Sequence, residues 1–277
     1  MNDAVTHTSL NELPIWQSMP SITLEEMKAV KLMNRIDTKY VVSDEDVMAI
    51  LERVSTLGYR VQIIGDKRAA RYDTLYYDTA ERDMYIRHHN RILTRQKIRT
   101  RHYVDNDATF LEVKNKSNRG RTDKRRTSIE RSSFANIHSN AQAVEFLTER
   151  SHYALDTLSP ALATRFTRIT IVNPMLTERV TIDLNLEYED VRSGCRATIQ
   201  GMAIIEIKQD GNIRSSMKDI LRQMRITPLK VSKYCLGTSL TVEGIKKNRM
   251  KQKLRDIEKR IGYGRLTLSP AQHTDIE

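Results

Sequence analysis

The sequence predicts an α+β protein: a closed antiparallel eight-stranded β-barrel with helices packed outside it. Three observations lead there. Segments with a two-residue alternation, broken by turn signals, recur between residues 34 and 209. Several of them carry charge on one face and apolar residues on the other. The charged faces mix many cations with a few carboxylates, and helices are available to cover the apolar faces. A closed barrel with a charged lumen meets all of these conditions at once. In an ordinary sandwich the same charged faces would meet solvent.

The elements follow in order. Residues 1–20 lack clear periodicity, and 21–30 read as a short helix capped by Ser21 or Thr23. Residues 34–42 alternate as a strand. Ser43 then caps a helix to about Thr56, with Val47, Ile50, Leu51 and Val54 as its apolar stripe. Residues 71–79 are Tyr-rich and strand-like, 80–89 helical, and 91–103 a long strand. Asp105-Asn106-Asp107 marks a turn before the strand 109–116; the polar loop 117–123 precedes the strand 124–130. Residues 140–150 read as a helix. Strands follow at 161–172, 178–189 and 202–209, with Asn173-Pro174 as a turn. Amphipathic helices are expected at 213–225 and 232–242, and a basic one at 246–260. No internal repeat or low-complexity linker appears. The division is a lead-in of 1–30, one main unit of 31–244, and a basic C-terminal helix and tail of 245–277.

Composition narrows the partners. The 277 residues are 39% hydrophobic and 29% charged, with a net charge of +11. Such an excess points to nucleic acid, an anionic membrane surface or a phosphate-rich small molecule. Two cysteines, Cys195 and Cys235, suggest neither a disulfide framework nor a cysteine zinc site. No apolar run is long enough for a membrane span, and the N-terminus lacks a signal-peptide layout. A cytoplasmic location is the default expectation. Oligomeric state leaves no mark on the sequence.

The clearest chemical signal is Arg95-Gln-Lys97-Ile-Arg99-Thr-Arg101. As a strand, it sets four cations in one row. Such a row repels itself unless an anion lies among it, and an apolar core cannot hold it. The same period groups Arg35, Asp37 and Lys39; Glu112, Lys114 and Lys116; and Lys124, Arg126, Ser128 and Glu130. It also groups Arg179, Thr181, Asp183, Asn185 and Glu187, and pairs Glu206 with Lys208. The cations suit phosphate oxygens. Carboxylates such as Glu112, Asp183 and Glu206 suit a divalent metal held against the same phosphates.

An ordered set of motifs resembles the polyphosphate polymerase (VTC) domain, a branch of the triphosphate tunnel metalloenzymes, or CYTH superfamily. It comprises Arg35-Ile-Asp-Thr-Lys39-Tyr40, Tyr76-Tyr77-Asp78-Thr79, Ile98-Arg99-Thr-Arg101-His-Tyr103 and Leu111-Glu112-Val-Lys114. Phe166-Thr-Arg168, Arg179-Val-Thr-Ile-Asp183, Ile205-Glu206-Ile-Lys208 and Ser232-Lys233-Tyr234 complete it. The resemblance implies a tunnel that binds ATP and an inorganic polyphosphate chain. Arg99, Arg101, Lys39 and Arg168 would be catalytic. Arg35, Lys97, Lys114, Lys124, Arg126, Arg179, Lys208 and Lys233 would bind phosphates. Glu206, with Glu112 and Asp183, would hold Mn2+ or Mg2+. Two departures stand out. Classical tunnel triphosphatases open with Glu-x-Glu-x-Lys, whereas this chain has Arg35-x-Asp37-x-Lys39, which favours the polymerase branch. Phe166 stands where the family has Tyr.

The expected reaction is transfer of the ATP γ-phosphoryl group to a growing polyphosphate. The alternatives are a tunnel hydrolase of inorganic triphosphate or nucleoside triphosphate, and a non-enzymatic binder of polyphosphate or RNA. No specific nucleic-acid partner is expected. The basic helix 246–260 is read chiefly as a solvated face; guidance of polyphosphate at the tunnel mouth, or peripheral contact with an anionic membrane, is its alternative role.

Overall fold

The computed structural model describes residues 6–30, 35–119 and 122–269. Asn34 of the first expected strand, part of the loop at 117–123, and the ends of the lead-in and tail lie outside the described residues.

In chain order the elements are α1 (His7–Asn11), β1 (Ser21–Ile22), β2 (Arg35–Ser43), α2 (Asp44–Ser55), β3 (Arg60–Gln62), β4 (Ala69–Asp78) and α3 (Asp83–His89). Then come β5 (Arg95–Tyr103), β6 (Ala108–Lys116), β7 (Thr122–Ser128), α4 (Ala141–Arg150), β8 (Ser159–Val172), β9 (Glu178–Asp190), β10 (Arg196–Ile199) and β11 (Met202–Asp210). The chain continues with α5 (Ser216–Gln223), α6 (Lys233–Thr241), α7 (Asn248–Ile261) and β12 (Leu266–Ser269).

Eight antiparallel strands form one ladder in the order β2-β11-β9-β8-β4-β5-β6-β7. The sheet is strongly curled. β2 and β6 stand six strand spacings apart along it, about 29 Å if it were flat. Yet Lys39 of β2 lies close enough to Lys114 of β6 to depress its pKa.

Closure of the barrel by a ladder is not seen: among the described residues no pairing joins β7 to β2. The free edge of β2 is covered in another way. Leu229 N–H donates to the Lys39 carbonyl at 2.8 Å, and the Arg260 guanidinium donates to the Val41 carbonyl at 3.4 Å. A loop and α7 thus shield an edge that would otherwise offer unpaired backbone groups.

The outer face of the curl is apolar and helix-covered. Tyr40, Val42, Val180, Ile182, Ile205 and Ile207 pack against Val47, Ile50, Leu51 and Val54 of α2 and Met217, Ile220 and Leu221 of α5. Ser43 caps α2 as its sequence indicates: its hydroxyl accepts from Asp46 N–H at 3.0 Å, and the Asp46 carboxylate accepts from Ser43 N–H at 3.2 Å. On the other half of the sheet, Ile98, Leu111 and Val113 share a core with Ala143 and Leu147 of α4.

The expectation of helices only outside needs correction, because α6 lies within the curl. Its Tyr234 stacks on Tyr76 with ring centroids 4.9 Å apart, and its Lys233 is paired with Asp183. Both partners face inward. Gly237 permits this approach: a Cβ there would lie 2.5 Å from Tyr188 Cδ1 and 2.7 Å from Leu162 Cδ2. α6 therefore fills one end of the concave face.

Other departures are local. Residues 21–30 are not an α-helix. Ser21–Ile22 pairs in parallel with β3, and a 3₁₀ turn at Glu26–Ala29 follows, its start held by Thr23 and Glu26. Strands β3, β10 and β12 are additional, and the strand expected from residue 91 begins at Arg95. α7 buries Met250, Ile257 and Ile261, so it packs on the sheet as well as facing solvent. No helix among the described residues is long and apolar enough to cross a membrane.

Candidate active site

The register of the ladder collects the charged rows onto the concave face. On β5, Lys97, Arg99 and Arg101 alternate with Gln96, Ile98 and Thr100. Across β6, Lys97 faces Lys114, Arg99 faces Glu112 and Arg101 faces Phe110. β7 continues with Lys124 opposite Lys114 and Arg126 opposite Glu112. On the other side, Arg99 meets Tyr76 and Arg101 meets Thr74 of β4. Tyr72 then pairs with Phe166 and Ala70 with Arg168 of β8. Arg168 pairs with Asp183 of β9, Arg179 with Lys208 of β11, and Glu206 with Lys39 of β2. Asp37 pairs with Lys208, which puts Arg35 on the same face. Apart from Glu187, the expected charged strand residues thus share one surface, and α6 adds Lys233.

One row departs from simple alternation. Asn185 has φ +53°, and the β8–β9 register shifts across it. This bulge reverses the alternation, as an inserted residue must. Tyr188 then turns inward opposite Thr164, whereas Glu187 pairs with Arg165 on the outer face. Glu187 therefore leaves the charged set. Arg165 is bonded to Glu189 at 2.9 Å and is half exposed.

Three inward carboxylates are each shared by two cations, while Asp37 pairs with Arg35 at 2.6 Å. Glu112 accepts from Arg99 at 2.6 Å and from Lys124. Asp183 receives Arg168 at 2.5 and 2.9 Å and also Lys233. Glu206 is held less closely, with Lys39 and Lys208 both at 3.3 Å. Burial alone would raise the pKa of all three carboxyls. The paired cations outweigh it and hold each well below the usual carboxylate range. Burial pushes the other way on the lysines: Lys124, Lys208 and Lys233 are lowered to about 8 despite their acidic partners.

Several cations have no acidic partner of this kind among the described residues. Arg101 is 6% exposed, and its Nε donates to Thr74 Oγ1 at 3.2 Å. Burial, then Arg99, lowers its pKa. Lys97 donates to Ser232 Oγ at 2.9 Å. For Lys114 and Arg179, burial and neighbouring cations depress the pKa further. Uncompensated cations gathered on a concave face make an anion site, and arginines suit phosphate because they donate bidentately.

Sequence periodicity alone did not single out the aromatic floor. Tyr72 and Phe166 stack with centroids 5.2 Å apart. Arg168 lies over both rings at 4.8 and 5.2 Å, Arg101 over the same pair at 5.6 and 5.8 Å, and Lys233 over Phe166 at 4.5 Å. The rings thus hold three cations side by side; Arg168 and Lys233 also donate to Asp183, while the Arg101 Nε donates to Thr74. Tyr76 adds a phenol 3.2 Å from Arg99 Nη1. Burial would raise its pKa, but Arg99, Lys97, Arg101 and Lys233 bring it to about 8. The available signal was the alternation of Tyr72, Thr74 and Tyr76 along β4.

The metal set expected from Glu206, Glu112 and Asp183 is not assembled. Among the described residues no three acidic, His or Cys side chains gather as a metal site. The three carboxylates stand on β11, β6 and β9, and strong pairing occupies Glu112 and Asp183. The longer contacts at Glu206 leave that carboxylate the least closely paired of the three, and so the one that could hold an ion.

Comparison with known proteins places this architecture. Two solved structures share the fold at low identity. One is a provisionally assigned adenylate cyclase from Bacillus halodurans, with 13% identity, a TM-score of 0.50, and coverage of 72% of this chain and 94% of that one. The other is a provisionally assigned adenylyl cyclase from Hippeastrum, described as having a dominant triphosphatase activity. It shows 15% identity and a TM-score of 0.50, and the match covers 76% of this chain and 98% of that one. No curated protein sequence matches the chain. The VTC domain model matches residues 34–242, the span that carries the concave cationic face, and the chain belongs to the VTC domain family.

Proposed function

We propose that the protein is a metal-dependent polyphosphate polymerase, transferring the γ-phosphoryl group of ATP to an inorganic polyphosphate chain. The supporting observation is the concave face itself. Its cations exceed its carboxylates, and Arg101 and Lys97 keep donors unspent on any acid. In this reading the curled sheet forms a tunnel around the phosphates. Arg99, Arg101, Lys39 and Arg168 contact the reacting groups. Arg35, Lys97, Lys114, Lys124, Arg126, Arg179, Lys208 and Lys233 hold the rest of the chain.

Phosphoryl transfer asks chiefly for alignment and charge neutralisation. The arginines supply both through paired N–H donors. Glu206 would hold Mn2+ or Mg2+ together with phosphate oxygens, and such an ion neutralises charge on the transferring group. No side-chain nucleophile is required, because the polyphosphate terminus is an oxyanion.

Hydrolysis is the second reading, favoured by the triphosphatase activity described for the Hippeastrum protein. Activation of water calls for a general base with a pKa near the working pH. Glu112, Asp183 and Glu206 are each engaged by two cations and lie far below that range. None of these three carboxylates can serve as that base, whereas a polyphosphate terminus is already ionised and needs none.

The test is incubation of the purified protein with ATP and Mn2+, with products resolved by gel. A ladder of phosphate chains lost in both Glu206→Ala and Arg99→Ala supports the polymerase. Orthophosphate without chains identifies the hydrolase.

A further inference from the structure

The cationic row of β5 continues beyond the concave site. Arg95 faces Lys116 across the β5–β6 ladder, one pair beyond Lys97 and Lys114, or about 6.7 Å further along the strands. There the row leaves beside the N-terminus of α6, where Lys97 is bonded to Ser232. α3, α7 and the segment before α6 converge on this end. His88 of α3 lies among Lys97, Arg95, Lys253 and Lys116. Lys116 lies beside Arg95 and Lys230, and Lys253 beside Arg91 and Lys230. Lys253 Nζ also donates to the Lys230 carbonyl at 2.8 Å, tying α7 to that segment.

The balance of charge differs from the site inside. There, Glu112, Asp183 and Glu206 each divide two cations. Here, the charged side chains that act most strongly on His88 are cations, and the same holds for Lys116. His88 Nδ1 is buried with no hydrogen-bond partner. Burial and the surrounding cations lower its pKa to about 2, so the imidazole is neutral and relieves none of the charge. Like charges held together on four chain segments call for an anion from outside.

We infer that Arg91, Arg95, Lys116, Lys230 and Lys253, grouped around His88, form an external track for the part of a polyphosphate chain that extends beyond the concave site. The inference rests on the polyphosphate reading above. It commits to a linear phosphate polymer because the cations continue the β5 and β6 rows in register, which a chain threading the curl would follow. From Arg101 to Lys97 the row spans about 13 Å, so a triphosphate is held inside and only a longer chain reaches the track.

The test is equilibrium binding by the full chain, without nucleotide or metal, of tripolyphosphate and of long-chain polyphosphate. The variant is Lys116→Ser/Lys230→Ser/Lys253→Ser. Its long-chain Kd should rise about tenfold or more, with a shallower dependence of log Kd on log salt because fewer phosphates are neutralised. Its tripolyphosphate Kd should stay within about twofold of the parent's, since only the counter-charges of the longer chain are removed. Arginine at the same three positions should restore long-chain binding. An unchanged long-chain Kd, an equal loss for both ligands, or no long-chain binding by the parent overturns the track. So does a loss confined to single-stranded RNA or anionic vesicles. If the ATP assay yields no chains while the length-dependent loss is observed, the polymerase reading fails and the track stands.

Discussion

At the scale of single residues, Glu206 and Asp183 answer different questions. Glu206 sits 3.3 Å from each of its lysines, a loose arrangement that leaves it available to an ion. Glu206→Gln should lower the metal-dependent rate by about 100-fold or more, since metal stabilisation of the transferring group is worth several kcal/mol. The melting temperature should fall as well, because the surrounding cations hold this carboxylate far below its ordinary pKa and glutamine forgoes that contribution. Initial rates across a Mn2+ titration, paired with a melting curve, check both. Asp183 is instead buried under Arg168 and Lys233, and Asp183→Ala strands two cations. A loss of about 3–5 kcal/mol is expected from breaking such a buried pair, measurable by urea denaturation, and added tripolyphosphate should recover part of it. The pH dependence has a definite sign. The folded pKa of Asp183 is depressed, so its contribution is complete above the ordinary aspartate value near 4 and is lost as pH falls toward the folded one. The inward position of Asp183 was legible from alternation alone. The outward position of Glu187 was not, because a left-handed Asn185 reverses the strand two residues earlier.

At the scale of elements, legibility followed periodicity. α2 was readable from its cap and apolar stripe, and the strands from 95 to 116 from strict alternation. β1, β3, β10 and β12 are two to four residues long, too short to show a period. α6 was recognisable as a helix, but its placement inside the curl was not. Its burial is nearly all round, from Tyr234 through Ser239, which a search for one apolar stripe does not register. The close approach at Gly237 gives a test. In a solvent-exposed helix Gly→Ala is stabilising by about 1 kcal/mol. Here the new Cβ would press on the buried Tyr188 ring and Leu162, and overpacking of this kind costs about 1–3 kcal/mol. Gly237→Ala should therefore destabilise the protein and weaken tripolyphosphate binding together, because Lys233 and Ser232 ride on the same helix. Denaturant midpoints and binding isotherms decide it. A stabilised variant with normal binding would mean that α6 does not pack as described.

At the scale of the whole molecule, the basic excess is concentrated rather than spread. Lys124 of β7, Lys208 of β11 and Lys233 of α6 come from distant parts of the chain, yet burial and neighbouring cations bring each to about 8. The shared shift is a property of the concave face, which buries each lysine beside cations of nearby strands. A bound phosphate chain supplies the missing anion and favours the ammonium form, raising these pKa values. Binding near pH 8 must then take up protons, whereas near pH 6 the lysines are already charged and their share of the uptake disappears. Affinity should fall as pH climbs above 8 and the free protein loses those protons. Titration calorimetry of tripolyphosphate in buffers of different ionisation enthalpy measures the uptake. The ligand's own titration is common to all variants, so the comparison is with Lys124→Arg/Lys208→Arg, whose guanidinium groups stay charged across this range. That variant should take up fewer protons at pH 8 and keep its affinity to higher pH. Equal uptake by parent and variant would mean that the lysines are fully charged before the anion arrives, and that the curl does not crowd them as its geometry indicates.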